Sequence, residues 1–467
     1  MRVKLATIRC DHHLLIRNDN IIHIHHINNI KRKKQNYKKT PNNVNSISNP
    51  DTKKSKVRET FNKHKIIFNA KPTNINRNHP NLNPSSRLIT RTPPKSNPKL
   101  IILMKTQEIK NNPITNLIKK SLLDLPTPTS ISFLWNFGFL LGFTLTLQII
   151  SGLVVSIIYT ADTSLAFSVI VKIIRDNDTG WASRLIHTNG ASLFFVLIYI
   201  HTARGIYFSS PSNQPKVWIS GVVIILITIG TAFLGYVLPW GQISFWGATV
   251  ITGVLSAIPL VGNDLVVWIW GGPSVSQPTL NRFFSLHFLL PIVLMVLILI
   301  HLILLHEKGS SNPNNTKTET DKIKFHPSFS VKDLLPGTLI SIVFMLIISN
   351  YPNILGDVEN FNPANPLVTP VHIQPEWYFL FAYVILRSIP SKLGGVVALA
   401  ASIIILAILV IKKNIRTKFN PIKKIVFWLF SSTVVILTWI GAKTVERPFE
   451  GIGQIYTILY FASVISI

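Results

Sequence analysis

Two stretches decide the fold between them: Arg184 to Gly205, RLIHTNGASLFFVLIYIHTARG, and Ser285 to His306, SLHFLLPIVLMVLILIHLILLH. Each is an apolar, helix-length run with one histidine near its start and a second fourteen positions later, His187 and His201 in the first, His287 and His301 in the second. Fourteen steps of a helix fall about 40° short of four full turns, so both histidines of a run share one face, roughly 21 Å apart along the axis. Ionisable side chains at bilayer depth are costly and commonly mark functional sites. Four of them at two equal spacings predict two ligands stacked across a membrane.

The rest of the chain agrees with a membrane setting. Of 467 residues, 47% are hydrophobic and only 14% charged, with a mean hydropathy of +0.35. The net charge of +28 argues for no nucleic-acid partner, because it is unevenly placed. Residues 1–103 carry 22 Lys and Arg against 4 Asp and Glu, a net of +18, and the remaining chain only +10. This segment is rich in Asn, Lys, Ile and Pro and has no apolar period, so it reads as a disordered extension. Its histidines, among them His12, His13, His23, His25 and His26, lack the spacing of a defined metal site. Three readings of the extension compete: a targeting segment, a nucleic-acid-binding arm, or upstream translated sequence absent from the mature protein, with Met104 as the start. The third is favoured. Cys10 is the single cysteine, so no intramolecular disulfide, cysteine-ligated zinc or iron–sulfur cluster is available, and redox chemistry must use histidine or an added cofactor.

Windows long enough to cross a hydrocarbon core of roughly 30 Å occur at 131–159, 184–208, 217–238, 279–305, 334–350, 393–411, 425–440 and 452–467. They predict an all-α, polytopic protein of eight transmembrane helices, the last two near the lower length limit, with helices one to four forming a bundle around the histidines. The expected organisation is the 1–103 extension, an amino-terminal bundle over 104–308 and a carboxyl-terminal membrane domain over 309–467. Loops after the even helices carry 12 Lys and Arg, and those after the odd helices 6, which places the even loops on the inner side. Helices two and four then run in the same direction. His187 should face His287 near the outer side, and His201 should face His301 near the inner side. That arrangement suits bis-histidine ligation of a flat macrocycle, with haem the obvious candidate.

Glycines support a flat cofactor. Gly138 and Gly152 in the first helix are fourteen apart, as are Gly221 and Gly235 in the third. Glycine weakens a helix but leaves room for a porphyrin edge. Arg184 and Arg204, just outside His187 and His201, are placed to meet propionates with their guanidinium forks. Pro291, four residues after His287, removes a helix hydrogen bond. The alternatives are interhelical hydrogen bonding by each histidine, close helix packing at the glycines and ordinary helix-end charges at the arginines.

Longer strings carry a resemblance. SRLIHTNGAS (183–192), GYVLPWGQISFWGATVIT (235–252), AIPLVGNDLVVWIWGG (257–272), RFFSLHFLLP (282–291), HEKGSSNP (306–313), NPLVTPVHIQPEWYFLFAYVILRSIP (365–390) and VERPF (445–449) resemble the cytochrome b family, the di-haem core subunits of the mitochondrial and bacterial ubiquinol:cytochrome c oxidoreductase (complex III). The match runs in order from about Leu123 to the carboxyl terminus. The continuous chain and the repeated fourteen-residue spacing resemble the respiratory type more than the split chloroplast type.

The resemblance implies two non-covalent b-type haems, a lower-potential one on His187 and His287 and a higher-potential one on His201 and His301. It places Trp135, with Arg204, near the propionates of the latter. It implies a quinol-oxidising pocket built from Trp246, Gly247, Pro375, Glu376, Trp377, Tyr378 and Tyr383, and a quinone-reducing pocket including His306, Ser310, Lys332 and Asp333. Ubiquinol would be oxidised in bifurcated fashion, one electron leaving to a Rieske-type iron–sulfur protein and the other crossing the membrane. A cytochrome c1-type subunit, a homodimeric complex and the mitochondrial inner membrane are implied in the same way, with a bacterial plasma membrane as the lesser alternative.

The residue types suit that chemistry. Glu376 in an apolar loop can accept a quinol proton, Tyr383 can orient the ring, and His306 with Asp333 offers a titratable pair for quinone reduction. His326 and His372 read as structural. Lys308 stands where mitochondrial relatives usually carry a neutral residue. The competing readings are another di-haem, quinone-linked membrane cytochrome b and a non-redox transporter with intramembrane histidines.

Overall fold

A computed structural model describes residues 112–314, 320–411 and 417–467; the basic extension lies outside these residues. Eight long helices occupy the eight apolar windows: α1 (Phe137–Ile158), α2 (Asp178–Tyr207), α3 (Pro215–Val237), α4 (Gln277–Lys308), α5 (Ser328–Asn350), α6 (Lys392–Ile408), α7 (Pro421–Gly441) and α8 (Phe449–Ser466). All but α6 and α8 are both long and apolar enough to cross a membrane on that basis alone. Of the two helices expected near the lower length limit, α8 has 18 residues but α7 reaches 21, and α6 with 17 is the shortest of the eight. The reason is local. Pro421 opens α7 ahead of the apolar window, and the Asn420 side chain caps it by accepting from the backbone N–H groups of Ile422 and Lys423.

The ends of α2 and α4 are built the same way. Asn177 accepts from Gly180 N at 2.8 Å and starts α2 six residues before its apolar window. Ser276 and Thr279 form a reciprocal capping box at the start of α4, which runs through Pro291 and stops at Gly309, where φ is +77°. Among the described residues the only paired strands are β1 (Pro126–Pro128) and β2 (Lys322–Lys324), antiparallel with Thr127 opposite Ile323. The architecture is therefore all-α with one short ribbon.

Within the bundle α1 packs along α2, and α3 packs along α4. A buried apolar cluster including Ile206, Trp218, Ile385, Leu437, Ile440 and Tyr460 ties α2 and α3 to α7 and α8. A second cluster, including Leu234, Trp240, Phe245, Leu280 and Phe283, closes the end of the bundle where the non-spanning helix Gln242–Gly253 follows α3. Gln242 secures the loop above it, accepting from Asn365 N at 2.7 Å and donating to the Val368 carbonyl at 2.6 Å. Helix α5 is fastened at both ends by buried asparagines. Asn136 Nδ2 donates to the Lys332 carbonyl and to Asp333 Oδ1, each at 2.7 Å, and Asn189 Nδ2 donates to the Pro352 carbonyl at 3.0 Å.

Candidate functional site

The helical period carries all four histidines to the interior of the α1–α4 bundle, where each ring meets one of the four spaced glycines. A Cβ built on Gly152 would lie 2.8 Å from His187 Cε1, and one on Gly235 would lie 2.3 Å from His287 Cε1. A Cβ on Gly138 would lie 3.5 Å from His201 Cε1, and one on Gly221 would lie 3.5 Å from His301 Cε1. The glycines are thus clearances for the imidazoles themselves. The two levels differ: the one holding His187 and His287 has no room for a methyl group, and the one holding His201 and His301 has.

The rings of His187 and His287 have centroids 6.1 Å apart. Two imidazoles sharing one metal through their Nε2 atoms need roughly this separation, because metal–imidazole bonds are about 2 Å. His201 and His301 are close enough to interact electrostatically. Most of the Nδ1 atoms are already engaged. His187 Nδ1 meets the Gln148 carbonyl and Ser151 Oγ, both at 3.1 Å, and His287 Nδ1 meets the Thr231 carbonyl at 2.8 Å. His301 Nδ1 meets Ser220 Oγ at 2.7 Å. Such partners fix the tautomer and turn Nε2 towards a ligand. His201 differs, its Nδ1 lying 3.3 Å from Arg204 Nη2.

Three further observations fit a haem. A cavity of about 270 Å³ opens beside the first pair, lined among others by Gly152, Arg184, His187, Gly235, His287 and Pro291. At the second pair Arg204 lies over the Trp135 ring, 5.2 Å from its centroid, and Trp135 Nε1 and Arg204 Nε are buried without a hydrogen-bond partner. Buried donors left orphaned are rare and costly, and propionate oxygens would satisfy both. Finally, among the described residues no three His, Cys, Asp or Glu side chains converge as a metal cage. A pair of histidines at each level would hold a haem, whose macrocycle would supply the remaining ligands.

The loop 375–378 packs against α2 between its two histidines, through Trp377 at Ser192 and Tyr378 at Phe195. Glu376 is half-buried, accepts a hydrogen bond from the Tyr236 hydroxyl, and lies within electrostatic reach of Arg184 and Asp357. Burial, with Asp357 nearby, pushes its carboxyl up to about 7, against the pull of Tyr236 and Arg184. Gln374 holds Asp357 by an Nε2 to Oδ2 bond of 3.0 Å. Trp377 and Tyr378 anchor the loop: Trp377 Nε1 donates to Ser192 Oγ at 3.0 Å, and Tyr378 stacks on Phe195 at 4.1 Å between centroids. The Tyr383 hydroxyl donates to the Ile373 carbonyl at 3.1 Å, with Arg387 over its ring. Trp246 Nε1 donates to the Asn365 carbonyl at 3.3 Å, and a Cβ on Gly247 would meet open space.

The residues expected around a second quinone are less tightly gathered. Lys332 Nζ donates to the Ile131 carbonyl at 2.5 Å, and Asp333 is held by Asn136 beside Trp135. His306 sits on the last turn of α4, and among the described residues no hydrogen bond or ion pair joins it to Asp333. Ser310 donates to the Ser311 carbonyl. Lys308 instead bridges to the Asn213 carbonyl at 3.2 Å, beside the Lys216–Glu307 ion pair. Sequence reasoning missed Gln148, Ser151, Ser220, Thr231, Tyr236, Asp357 and Asn136. One signal was present, since Ser151 and Ser220 each immediately precede one of the four glycines.

Fold and site together define a multi-pass helical membrane protein with two pairs of histidines inside its amino-terminal bundle. Comparison gives the class its family. Residues 122–309 match the family model Cytochrome b/b6/petB, and residues 363–461 match Cytochrome b(C-terminal)/b6/petD. A solved structure described as a hyperthermophilic respiratory Complex III is 33% identical, with a TM-score of 0.72, covering 77% of this chain and 97% of that one. The chain belongs to the cytochrome b family, whose members typically bind two b haems.

Proposed function

We propose that the chain is the di-haem cytochrome b subunit of a complex III-type quinol:cytochrome c reductase, oxidising ubiquinol on one side of the membrane and reducing quinone on the other. The observation that carries this reading is the pairing of His187 with His287 beside a cavity that Arg184 also lines, with Glu376 in electrostatic reach of that arginine. His187 and His287 would hold one haem, His201 and His301 the other, with Trp135, Arg184 and Arg204 at their propionate edges. When bound, the two haems supply one-electron transfer between the two sides of the bilayer.

The chain's own groups handle protons and position. Quinol gives up two protons with its two electrons, so the site that oxidises it needs a base within reach of a ring hydroxyl. Glu376 has that character, since a carboxyl titrating near 7 can both take and release a proton under physiological conditions. Tyr236 orients the carboxylate, and Trp377 and Tyr378 hold the loop against α2. Trp246, Gly247, Pro375 and Tyr383 complete the pocket. On the other side Asp333, held by Asn136, supplies protons to quinone, with Lys332, His306 and Ser310 around it. A Rieske-type iron–sulfur protein takes the first electron, and a cytochrome c1-type subunit completes a homodimeric complex of the mitochondrial inner membrane.

Reduced-minus-oxidised spectra of the purified protein test the reading. Two distinct b-type signals are expected, and their absence would reject it in favour of a transporter with structural histidines.

A further inference from the structure

A short sequence repeat is left over once the histidines are paired: Ile150-Ser151-Gly152 in α1 and Ile219-Ser220-Gly221 in α3. In each, the glycine clears a histidine ring and the serine before it meets the same ring from the side. Ser151 Oγ lies 3.1 Å from His187 Nδ1, and Ser220 Oγ lies 2.7 Å from His301 Nδ1. Each hydroxyl spends its own hydrogen within its helix, Ser151 on the Leu147 carbonyl at 2.7 Å and Ser220 on the Val217 carbonyl at 2.8 Å. What each serine turns to the imidazole is therefore a lone pair, which only an Nδ1–H can meet. The proton then sits on Nδ1, and Nε2 is free to bind a metal.

The two serines are placed diagonally, one per histidine pair. They are not equivalent. His187 Nδ1 also has the Gln148 carbonyl at 3.1 Å, so Ser151 shares its load. At His301 the serine contact is the shorter, 2.7 against 3.1 Å, and Ser220 gives its own hydrogen to the Val217 carbonyl, which also lies within reach of the ring. Hydrogen bonds in such a chain polarise one another, and an acceptor on Nδ1–H raises the basicity of the ligating nitrogen. A more basic axial ligand favours the oxidised metal and lowers its potential.

We infer that Ser220 is a positioning residue of the second histidine pair, accepting the His301 Nδ1 hydrogen and relaying to Val217, and that it lowers the reduction potential of the group bound there. Ser151 acts on His187 in the same sense and to a smaller extent. The inference rests on the haem reading proposed above, and the two fail separately. Without two b-type signals in the unsubstituted protein the haem reading falls; with them present, only the effect of substitution is at issue.

The test is a redox titration of the purified, haem-loaded full chain, with haem content measured alongside. Ser220→Ala should shift the midpoint potential of the His201/His301 haem to more positive values and leave the other haem unmoved, with both haems retained. Ser220→Thr keeps the hydroxyl and should restore the original value. Ser151→Ala should give a smaller positive shift confined to the His187/His287 haem. If Ser220→Ala loses its haem, Ser220→Cys, of similar size with a weaker acceptor, is titrated instead and should still shift the same haem positively. An unmoved potential, a negative shift or an equal shift at both haems would overturn the inference.

Discussion

The two histidine levels differ in how tightly glycine clears the rings, and that difference makes a graded prediction. Alanine at Gly235 would put its Cβ 2.3 Å from His287 Cε1, 2.7 Å from Nδ1 and 2.8 Å from Nε2. Ordinary contact begins near 3.4 Å. The imidazole must therefore retreat by about 1 Å or the helices must separate, and overpacking of this kind costs about 1–3 kcal/mol. The ring cannot turn freely, because its Nδ1 is held 2.8 Å from the Thr231 carbonyl. If that cost falls on the loaded state, retention of the haem at His187 and His287 weakens by roughly 5- to 150-fold, since about 1.4 kcal/mol is tenfold.

Alanine at Gly138 or Gly221 meets its histidine at 3.5 Å and should be tolerated. The assay is haem content and difference spectra of purified Gly152→Ala, Gly235→Ala, Gly138→Ala and Gly221→Ala proteins. Gly235→Ala should lose one b-type signal most completely, Gly152→Ala should weaken the same signal, and the other two should keep both. Loss of haem from Gly138→Ala comparable to that from Gly235→Ala would refute the reasoning, as would full retention in Gly235→Ala.

Three other outcomes are expected. Glu376 has its carboxyl raised from 4.5 to about 7, chiefly by burial, so the ionised base appears only as pH rises through 7; quinol oxidation should climb across that range, and Glu376→Gln should be slow and flat in a pH–rate profile with both haems retained. The same shift has a stability sign: the folded state binds more protons than the unfolded, so the contribution is full below about pH 4.5 and is lost as pH rises through 7, which Glu376→Gln should abolish in pH-dependent thermal unfolding. Asn136→Ala removes both bonds that fasten the start of α5, at 2.7 Å each to Lys332 O and Asp333 Oδ1; a loss of about 1–3 kcal/mol and slower quinone reduction are expected, with haem reduction by quinol at the Glu376 side unchanged.

What was legible in the sequence was what a period can encode. Fourteen-residue spacings placed four histidines and four glycines on inward faces, and the structure brings each glycine against one histidine. Apolar windows located eight helices. Periodicity says nothing of partners distant in the chain. Asn136 meets Asp333 across 197 positions and Trp377 meets Ser192 across 185, and no local pattern announces either bond. Tyr236 escaped notice because it sits inside an apolar helix end, where a hydroxyl has no signature until a buried carboxylate is brought to it. The hydroxyls on Nδ1 were within reach, because Ser151 and Ser220 stand next to glycines already singled out. Helix ends were set by capping residues such as Asn177 and Asn420, so apolar windows alone misjudged the order of lengths.

The two carboxylates, one in α5 and one in the loop 375–378, are tied to opposite ends of α2, which bears on how one chain could hold two quinone pockets. Glu376 is within electrostatic reach of Arg184 near the start of α2. Asp333 is bonded to Asn136, whose neighbour Trp135 lies under Arg204 near the end of α2. Arg184 and Arg204 are twenty residues apart on one continuous helix, so at 1.5 Å per residue the two ends are about 30 Å from each other. That is the thickness of a hydrocarbon core. A single quinone ring cannot serve both carboxylates, and a proton taken at Glu376 cannot be the one given at Asp333 without crossing the bilayer. The histidine pairs occupy the interval between, with the tight pair at the Glu376 end and the roomier pair at the Asp333 end. On the function proposed above, proton release at one end and proton uptake at the other would follow from the placement of two acids along one helical frame.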